Sequence, residues 1–149
     1  YVDANPQRPR LLRGRRYLAM MEAEIARGAD GRLLAIAAGT ALYAAGDCRK
    51  ARDYFLRAAE AGYKPAESRE GAAEAAYRGA EFGVAADLYQ RLYDEGHRPP
   101  TLCLNLANLA VRRGDRKRSL GLLRECLELG GISAAVDDLI RRNIRHLAP

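Results

Sequence analysis

The chain has 149 residues, of which 48% are hydrophobic and 7% aromatic, with no tryptophan and a formal net charge of +6. This length favours one domain with a substantial core, and many alanines with few aromatics favour closely packed helices over β-sheets. No apolar run approaches the roughly 18 residues that a bilayer-spanning helix requires, which argues against a transmembrane protein.

The positive charge comes mainly from arginine. Lysine and arginine together number 25, and only Lys50, Lys64 and Lys117 are lysines, so 25 minus 3 leaves 22 arginines. A charge of this size favours acidic partners such as nucleic acid or anionic lipid. A surface of ordinary solvated arginines would give the same count. An acidic partner and a merely solvated surface therefore both stay open.

The three cysteines, Cys48, Cys103 and Cys126, are an odd number without CxxC spacing. This pattern predicts neither a disulfide framework nor a zinc site. Cys103 and Cys126 fall on predicted core positions, where a free thiol behaves as a small apolar group. We expect both to be buried and reduced, although the spacing also allows a bridge between them.

A stretch from Gly46 to Gly62, GDCRKARDYFLRAAEAG, recurs twice in steps of 34 residues without insertion or deletion, so that Gly62 aligns with Gly96 and Gly130. The other aligned sets are Asp47, Glu81 and Asp115; Ala51, Ala85 and Ser119; and Phe55, Tyr89 and Leu123. A fixed period of this length, with small residues at fixed offsets and a glycine at the end of each unit, is typical of a helix-turn-helix repeat array.

The chain begins with an irregular lead-in predicted over residues 1–9, where two prolines occur. A first helix is predicted over residues 10–28, and its apolar stripe consists of Leu11, Leu12, Leu18, Met21 and Ile25. Cations are disfavoured at a helix N-terminus, yet five arginines lie there: Arg8, Arg10, Arg13, Arg15 and Arg16. They predict either a solvated face or a patch that binds anions or a membrane surface.

Three repeats are predicted over residues 31–63, 64–97 and 98–130. In the second repeat Ala80 stands where the others have a turn glycine, and we expect the adjacent Gly79 to take the left-handed conformation.

A last helix is predicted over residues 132–147, with Ser133 as its N-cap. Because a terminal repeat with nothing over it leaves its core face wet, we expect this helix to cover the apolar edge of the third repeat.

These positions resemble the tetratricopeptide repeat (TPR) family, whose repeat has a small residue, a large apolar one and a turn glycine, followed by alanine, an aromatic and alanine. In the first repeat these are Gly39, Leu42, Gly46, Ala51, Phe55 and Ala58. The string AAEAGYKPA is also similar to Sel1-type repeats, and the tryptophan of the TPR family is missing. The resemblance implies an all-α fold: a right-handed helical-hairpin solenoid of three TPR-like repeats between an N-terminal helix and a C-terminal capping helix, forming one domain over residues 1–149.

Two further expectations concern packing within the first repeat. Small residues at Gly39 and Ala51 would let the paired helix backbones approach closely, and Phe55 would fill the gap beside them. A large charged residue at Ala51 should disrupt this core.

The TPR family holds a peptide or helix on a concave face lined by the first helix of each repeat. The resemblance implies a partner-binding groove formed by Ile36, Thr40, Tyr43, Glu70, Glu74, Tyr77, Arg78, Leu104, Asn105, Asn108, Val111 and Arg112. Tyr43 and Tyr77, one period apart, should stand side by side as interface anchors. Asn105 and Asn108 are suited to hydrogen-bond an extended ligand backbone.

Catalysis is not expected, because the sequence has no GxSxG, P-loop or HExxH motif. The two histidines, His97 and His146, belong to different predicted elements. We therefore predict no catalytic residue, no bound metal and no cofactor.

The expected function is a non-catalytic protein-protein interaction scaffold that binds a peptide or helix of a partner, as a bacterial adaptor or chaperone for an envelope, secretion or assembly complex. The alternative is an electrostatic binder of nucleic acid or of an anionic membrane surface through its arginines, and self-association is a third possibility. The sequence shows no signal peptide. The compartment would be the cytoplasm, or the periplasm if the N-terminus is processed or trimmed.

Overall fold

A computed structural model describes residues 8–149, and every regular element in that part of the chain is helical. The elements are α1 (Arg8–Ala26), α2 (Gly31–Thr40), a π-helical segment (Ala41–Ala45), α3 (Cys48–Glu60), α4 (Pro65–Arg78), α5 (Phe82–Asp94), α6 (Pro100–Arg112), α7 (Arg116–Leu129) and α8 (Ala134–Leu147). The all-α fold class is thereby confirmed. Within residues 8–149, no helix combines the length and the apolarity needed to cross a bilayer.

The observed helices follow the predicted boundaries closely. A pair of helices occupies each of the three predicted repeat ranges, and α8 occupies the range predicted for the last helix. Helix α1 begins at Arg8, two residues earlier than predicted, with Pro9 in its first turn. Proline suits that position because the first N–H groups of a helix have no intrahelical partner. The rest of the predicted lead-in lies outside the described residues.

The chain divides into two compact units, Tyr1–Ala85 and Ala86–Pro149, and each is described by itself below.

Five of the connections between helices contain a left-handed residue followed by an N–H that bonds back to the preceding helix at 2.8–3.0 Å. In four of them the acceptor carbonyl lies five residues earlier, which is the Schellman motif. After the π-helical segment the acceptor lies six residues earlier, because a π turn holds one more residue than an α turn. The donor-acceptor pairs are Asp47 and Ala41, Tyr63 and Ala58, Glu81 and Ala76, His97 and Leu92, and Asp115 and Ala110. The residue before each donor is left-handed, and these residues are Gly46, Gly62, Ala80, Gly96 and Gly114.

The prediction for the turn of the second repeat is wrong. Gly79 has φ −81°, whereas Ala80 takes the left-handed conformation at φ +60°. The reason is that the bond from Glu81 N to Ala76 O requires the residue directly before Glu81 to be left-handed. A neighbouring glycine cannot substitute for it.

Replacing Ala80 by glycine should therefore stabilise the protein. A left-handed alanine costs roughly 1–2 kcal/mol, and replacing it by glycine removes this cost. The larger entropy of glycine in the unfolded state offsets part of the resulting stabilisation. We expect Ala80→Gly to raise the free energy of unfolding by about 0.5–1 kcal/mol in urea denaturation. Gly46→Ala, at the equivalent turn one period earlier, should lower it, and a destabilised Ala80→Gly would contradict this account.

The core of the first unit is built largely from alanine. Ala37, Ala41, Ala51, Ala58 and Ala75 are completely buried. They form one cluster with the larger side chains Leu18, Met21, Ile25, Leu34 and Leu42. Small side chains bring helix backbones close together, which is how a domain with few aromatics reaches a dense core.

The closest helix approaches involve other glycines than the one predicted. A Cβ at Gly39 would meet nothing within 4 Å, so the prediction of close packing there is wrong. A Cβ at Gly14 would come within 2.3 Å of the Ala44 carbonyl oxygen, which shows that α1 lies directly on the π-helical segment. A Cβ at Gly71 would meet the Phe55 ring at 2.8 Å, so Phe55 fills space that α4 leaves open.

The predicted apolar stripe of α1 is partly wrong. Leu18, Met21 and Ile25 are buried, and Leu11 is half-buried. Leu12, however, is 46% exposed. At 3.6 residues per turn Leu12 lies well away from the line through the buried residues.

The second unit contains the α6–α7 pair and α8. Its buried side chains include Leu102, Cys103, Leu106, Leu109, Leu122, Leu123 and Cys126. Helix α8 packs against α7 and contributes the completely buried Ile140. The predicted N-cap is confirmed, since Ser133 Oγ accepts from Val136 N at 3.3 Å. At the other end of α8, the Arg116 guanidinium donates to the carbonyls of His146 and Leu147.

Ser119 on α7 is a defect in this core. The side chain is completely buried, and its hydroxyl has no hydrogen-bond partner in the described part of the chain. The equivalent positions one and two periods earlier are Ala85 and Ala51. Burying an unsatisfied hydroxyl costs free energy because its bonds to water are lost.

We expect Ser119→Ala to raise the free energy of unfolding by about 1 kcal/mol. The reverse change at the matched position, Ala51→Ser, should lower it by a similar amount, because Ala51 is equally buried. Chemical denaturation of both variants measures the two effects. A stabilising Ala51→Ser, or a destabilising Ser119→Ala, would contradict this explanation.

Candidate functional site

None of the twelve positions predicted to line a groove is buried. Seven lie in the first unit: Ile36 and Thr40 on α2, Tyr43 on the π-helical segment, and Glu70, Glu74, Tyr77 and Arg78 on α4. Five lie in the second unit on α6: Leu104, Asn105, Asn108, Val111 and Arg112. The apolar members Ile36, Tyr43 and Val111 are 47%, 56% and 42% exposed.

Helical periodicity explains why these side chains face solvent. On α4 the positions are spaced by three or four residues, so they share one face. The alternate face of α4 is buried through Ala72, Ala73, Ala75 and Ala76. On α6 the buried face consists of Leu102, Cys103, Leu106, Ala107, Leu109 and Ala110. Each helix thus turns one face to the core and the other toward solvent.

Three of the predicted residues form one polar cluster, the Tyr43 cluster, which consists of Tyr43, Glu74 and Arg78. The Tyr43 hydroxyl donates to Glu74 Oε2 at 3.0 Å. The Arg78 Nε donates to Glu74 Oε1 at 3.1 Å, and its guanidinium lies 5.2 Å from the centre of the Tyr43 ring. The cluster therefore joins the π-helical segment to α4.

The surroundings of Tyr43 favour its neutral form. Partial burial raises the pKa of the Tyr43 hydroxyl, and so do the hydrogen bond and the charge of Glu74, against the opposing charge of Arg78. At neutral pH the hydroxyl is therefore a donor to Glu74. Because its tip is held in this way, the Tyr43 ring keeps its orientation while most of its surface faces solvent.

Tyr77 has a different environment from Tyr43. Its ring packs edge-on against Phe82, the first residue of α5, with centroids 5.6 Å apart and planes at 75°. The sequence did not indicate Phe82 as a groove residue, because Phe82 begins the second helix of its repeat range and the predicted groove positions lie on first helices. The expectation that Tyr43 and Tyr77 stand side by side stays a prediction.

Two of the predicted groove residues, Thr40 and Asn105, already make internal hydrogen bonds. The Thr40 hydroxyl donates to the carbonyl of Ile36, one turn earlier on its own helix, at 3.0 Å. The Asn105 amide donates to the hydroxyl of the buried Tyr89 at 3.0 Å. Sequence spacing could not reveal this second bond, because Tyr89 aligns with Phe55, which has no hydroxyl. A ligand that used these groups would compete with internal bonds.

The cysteines offer no reactive site in the second unit. Cys103 and Cys126 are free and completely buried, as predicted. Burial, with smaller effects of Glu125 and Cys126, raises the pKa of Cys103 to about 11. Burial also raises the pKa of Cys126, whose thiol contacts the carbonyl of Pro100. Both thiols are therefore protonated at neutral pH. Because the thiolate and not the thiol is the nucleophile, neither cysteine offers a reactive site.

Thiol labelling checks this assignment. In the native protein at pH 8, we expect a disulfide reagent such as Ellman's to modify Cys48, which is half-buried in the structure. Cys103 and Cys126 should react only after denaturation, so the count rises from one thiol to three. Rapid labelling of all three in the native state would contradict the buried, protonated assignment.

No group of three or more histidine, cysteine, aspartate or glutamate side chains in residues 8–149 is arranged to hold a metal ion. Neither models of known protein families nor curated protein sequences match this chain. The resemblance to the tetratricopeptide family therefore depends on the chain's own recurrence at 34 residues.

Proposed function

We propose that this chain is a non-catalytic protein-protein interaction scaffold, a solenoid of three TPR-like repeats that binds a peptide or helix of a partner protein. The 34-residue recurrence supports the repeat assignment, as does the occurrence of one helix pair in each repeat range. The surface that we assign to the partner lies in the first unit, on α2, the π-helical segment and α4.

The observation that carries this proposal is the Tyr43 cluster. Interface anchors are typically large, amphipathic side chains whose conformation is fixed before binding. Tyr43 is 56% exposed, and its hydroxyl is already held by Glu74. Exposed Ile36 lies two helical turns before it and adds apolar area. Such a surface fits a partner segment with an apolar side chain directed at the Tyr43 ring.

The cellular role that we attach to this activity is that of a bacterial adaptor or chaperone for an envelope, secretion or assembly complex. It rests on the arrangement of three repeats between two extra helices, which is similar to that of type III secretion chaperones and to that of the tetratricopeptide parts of bacterial aerotolerance-type proteins. The partner would then be a protein segment that is extended or helical when bound.

Substitution of the two groove tyrosines tests the proposal. Wild-type protein and the double variant Tyr43→Ala with Tyr77→Ala would be used to recover partners from native extract, followed by affinity measurement with each purified partner. Because truncated anchors typically cost 2 kcal/mol or more, we expect the affinity to fall about 30-fold or further. Circular dichroism and thermal unfolding would confirm that the variant remains folded.

Tyr17→Ala is the matched control, because Tyr17 is 58% exposed on α1 and belongs to no predicted groove position. It should leave partner affinity unchanged. The proposal fails if the double variant binds every recovered partner as tightly as the wild type.

A further inference from the structure

The outer face of α1 carries arginines and large apolar side chains next to one another. Leu12, Tyr17 and Met20 are 46%, 58% and 67% exposed, and Arg13 and Arg16 are exposed beside them. In a helix of 3.6 residues per turn these five positions lie on one side. We call them the α1 outer face. It is opposite the buried side of α1 and is therefore separate from the Tyr43 cluster.

Within residues 8–149, no carboxylate neutralises the positive charge on this part of α1. No aspartate or glutamate occurs between residues 8 and 21. The arginines described there are Arg10, Arg13, Arg15 and Arg16, and none pairs with a carboxylate of residues 8–149. Arginines elsewhere do form such pairs, as Arg52 does with Glu81 and Arg78 with Glu74. The α1 outer face is thus complementary to a negatively charged surface.

The α1 outer face is also formed before any partner arrives. Leu18 and Met21 on the other side of α1 are 3% and 7% exposed in the core of the first unit. Gly14 lies against the backbone of Ala44. Binding through the outer face would therefore not require α1 to fold first, which removes an ordering cost that many surface-binding helices bear.

We propose that the α1 outer face docks on the surface of an anionic lipid bilayer. Arg13 and Arg16 would contact lipid phosphates, while Leu12, Tyr17 and Met20 enter the boundary between headgroups and acyl chains. Arginine suits this arrangement because its aliphatic stem lies along apolar surface while the guanidinium stays among the phosphates. Tyr17 and Met20 also line a shallow depression, together with Met21, Ala23 and Glu24.

The apolar residues favour a bilayer over nucleic acid as the occupant. Non-specific binding of single strands combines cations with aromatic rings on which bases stack, and Tyr17 is the one aromatic residue of the α1 outer face. Leu12 and Met20 have no stacking or hydrogen-bonding role on a phosphate backbone. Contact of Leu12 and Met20 with acyl chains, in contrast, is favourable because it removes apolar area from water.

Vesicle flotation of the full chain at low salt tests the proposal. Vesicles would contain either phosphatidylcholine alone or an equimolar mixture with phosphatidylglycerol. We expect binding to the anionic vesicles only, and Arg13→Glu with Arg16→Glu should lower it at least about tenfold. Leu12→Ser with Met20→Ser should also weaken binding, although it leaves the charge unchanged.

Arg124→Glu with Arg142→Glu is the matched control, since both side chains are exposed in the second unit and the change in net charge is identical. It should retain most of the vesicle binding. Because the chain has no tryptophan, Met20→Trp adds a single reporter. Its emission should shift to the blue with anionic vesicles and not with phosphatidylcholine.

Three results would overturn the proposal. The first is no binding of the wild type to anionic vesicles at low salt, and the second is equal binding by the Arg13→Glu, Arg16→Glu variant. The third is tighter binding to single-stranded DNA or to a polyglutamate peptide than to vesicles, lost in the same variant. The last result would assign the α1 outer face to nucleic acid or to an acidic protein segment. None of these results bears on the Tyr43 cluster.

Discussion

The geometry of the connections between helices is the constraint on which the rest of the structure depends. A Schellman bond closes four helix ends and a wider bond closes the π-helical segment, and in each case one left-handed residue turns the chain. Because this geometry recurs, each pair of helices leaves the turn in a similar way, and the same offsets in the sequence reach the core each time. The completely buried Ala51, Ala85 and Ser119 occupy one such offset.

Regular periodicity made most of the fold predictable. The spacing of small and apolar residues located the helix pairs, and Ser133 was identified as an N-cap from its position alone. Periodicity did not show which residues each position contacts in the folded chain. Gly39 is small, yet no backbone lies close to it, whereas Gly14 and Gly71, which no repeat pattern singled out, each lie tightly against another element.

The candidate site was predictable as a set of solvent-facing positions and not as a set of contacts. The resemblance to the TPR family placed Tyr43, Glu74 and Arg78 among the groove positions, and none of the three is buried. Their mutual bonds depend on how two neighbouring helices are offset along their axes, which one sequence does not specify. The sequence did contain one signal for the bond between Tyr43 and Glu74. Tyr77 is one period after Tyr43, and Glu74 lies one turn before Tyr77 on the same helix.

The π-helical segment at Ala41–Ala45 changes the direction in which a side chain at a given sequence position points. A π turn holds more residues than an α turn, so residues on its two sides differ in angular phase from what continuous α-helix would give. Tyr43 lies inside that segment. A related chain with the same residues at the same 34-residue spacing, but with an uninterrupted α-helix here, would point its tyrosine elsewhere. Alignment alone would therefore transfer the residue without transferring its bond to Glu74.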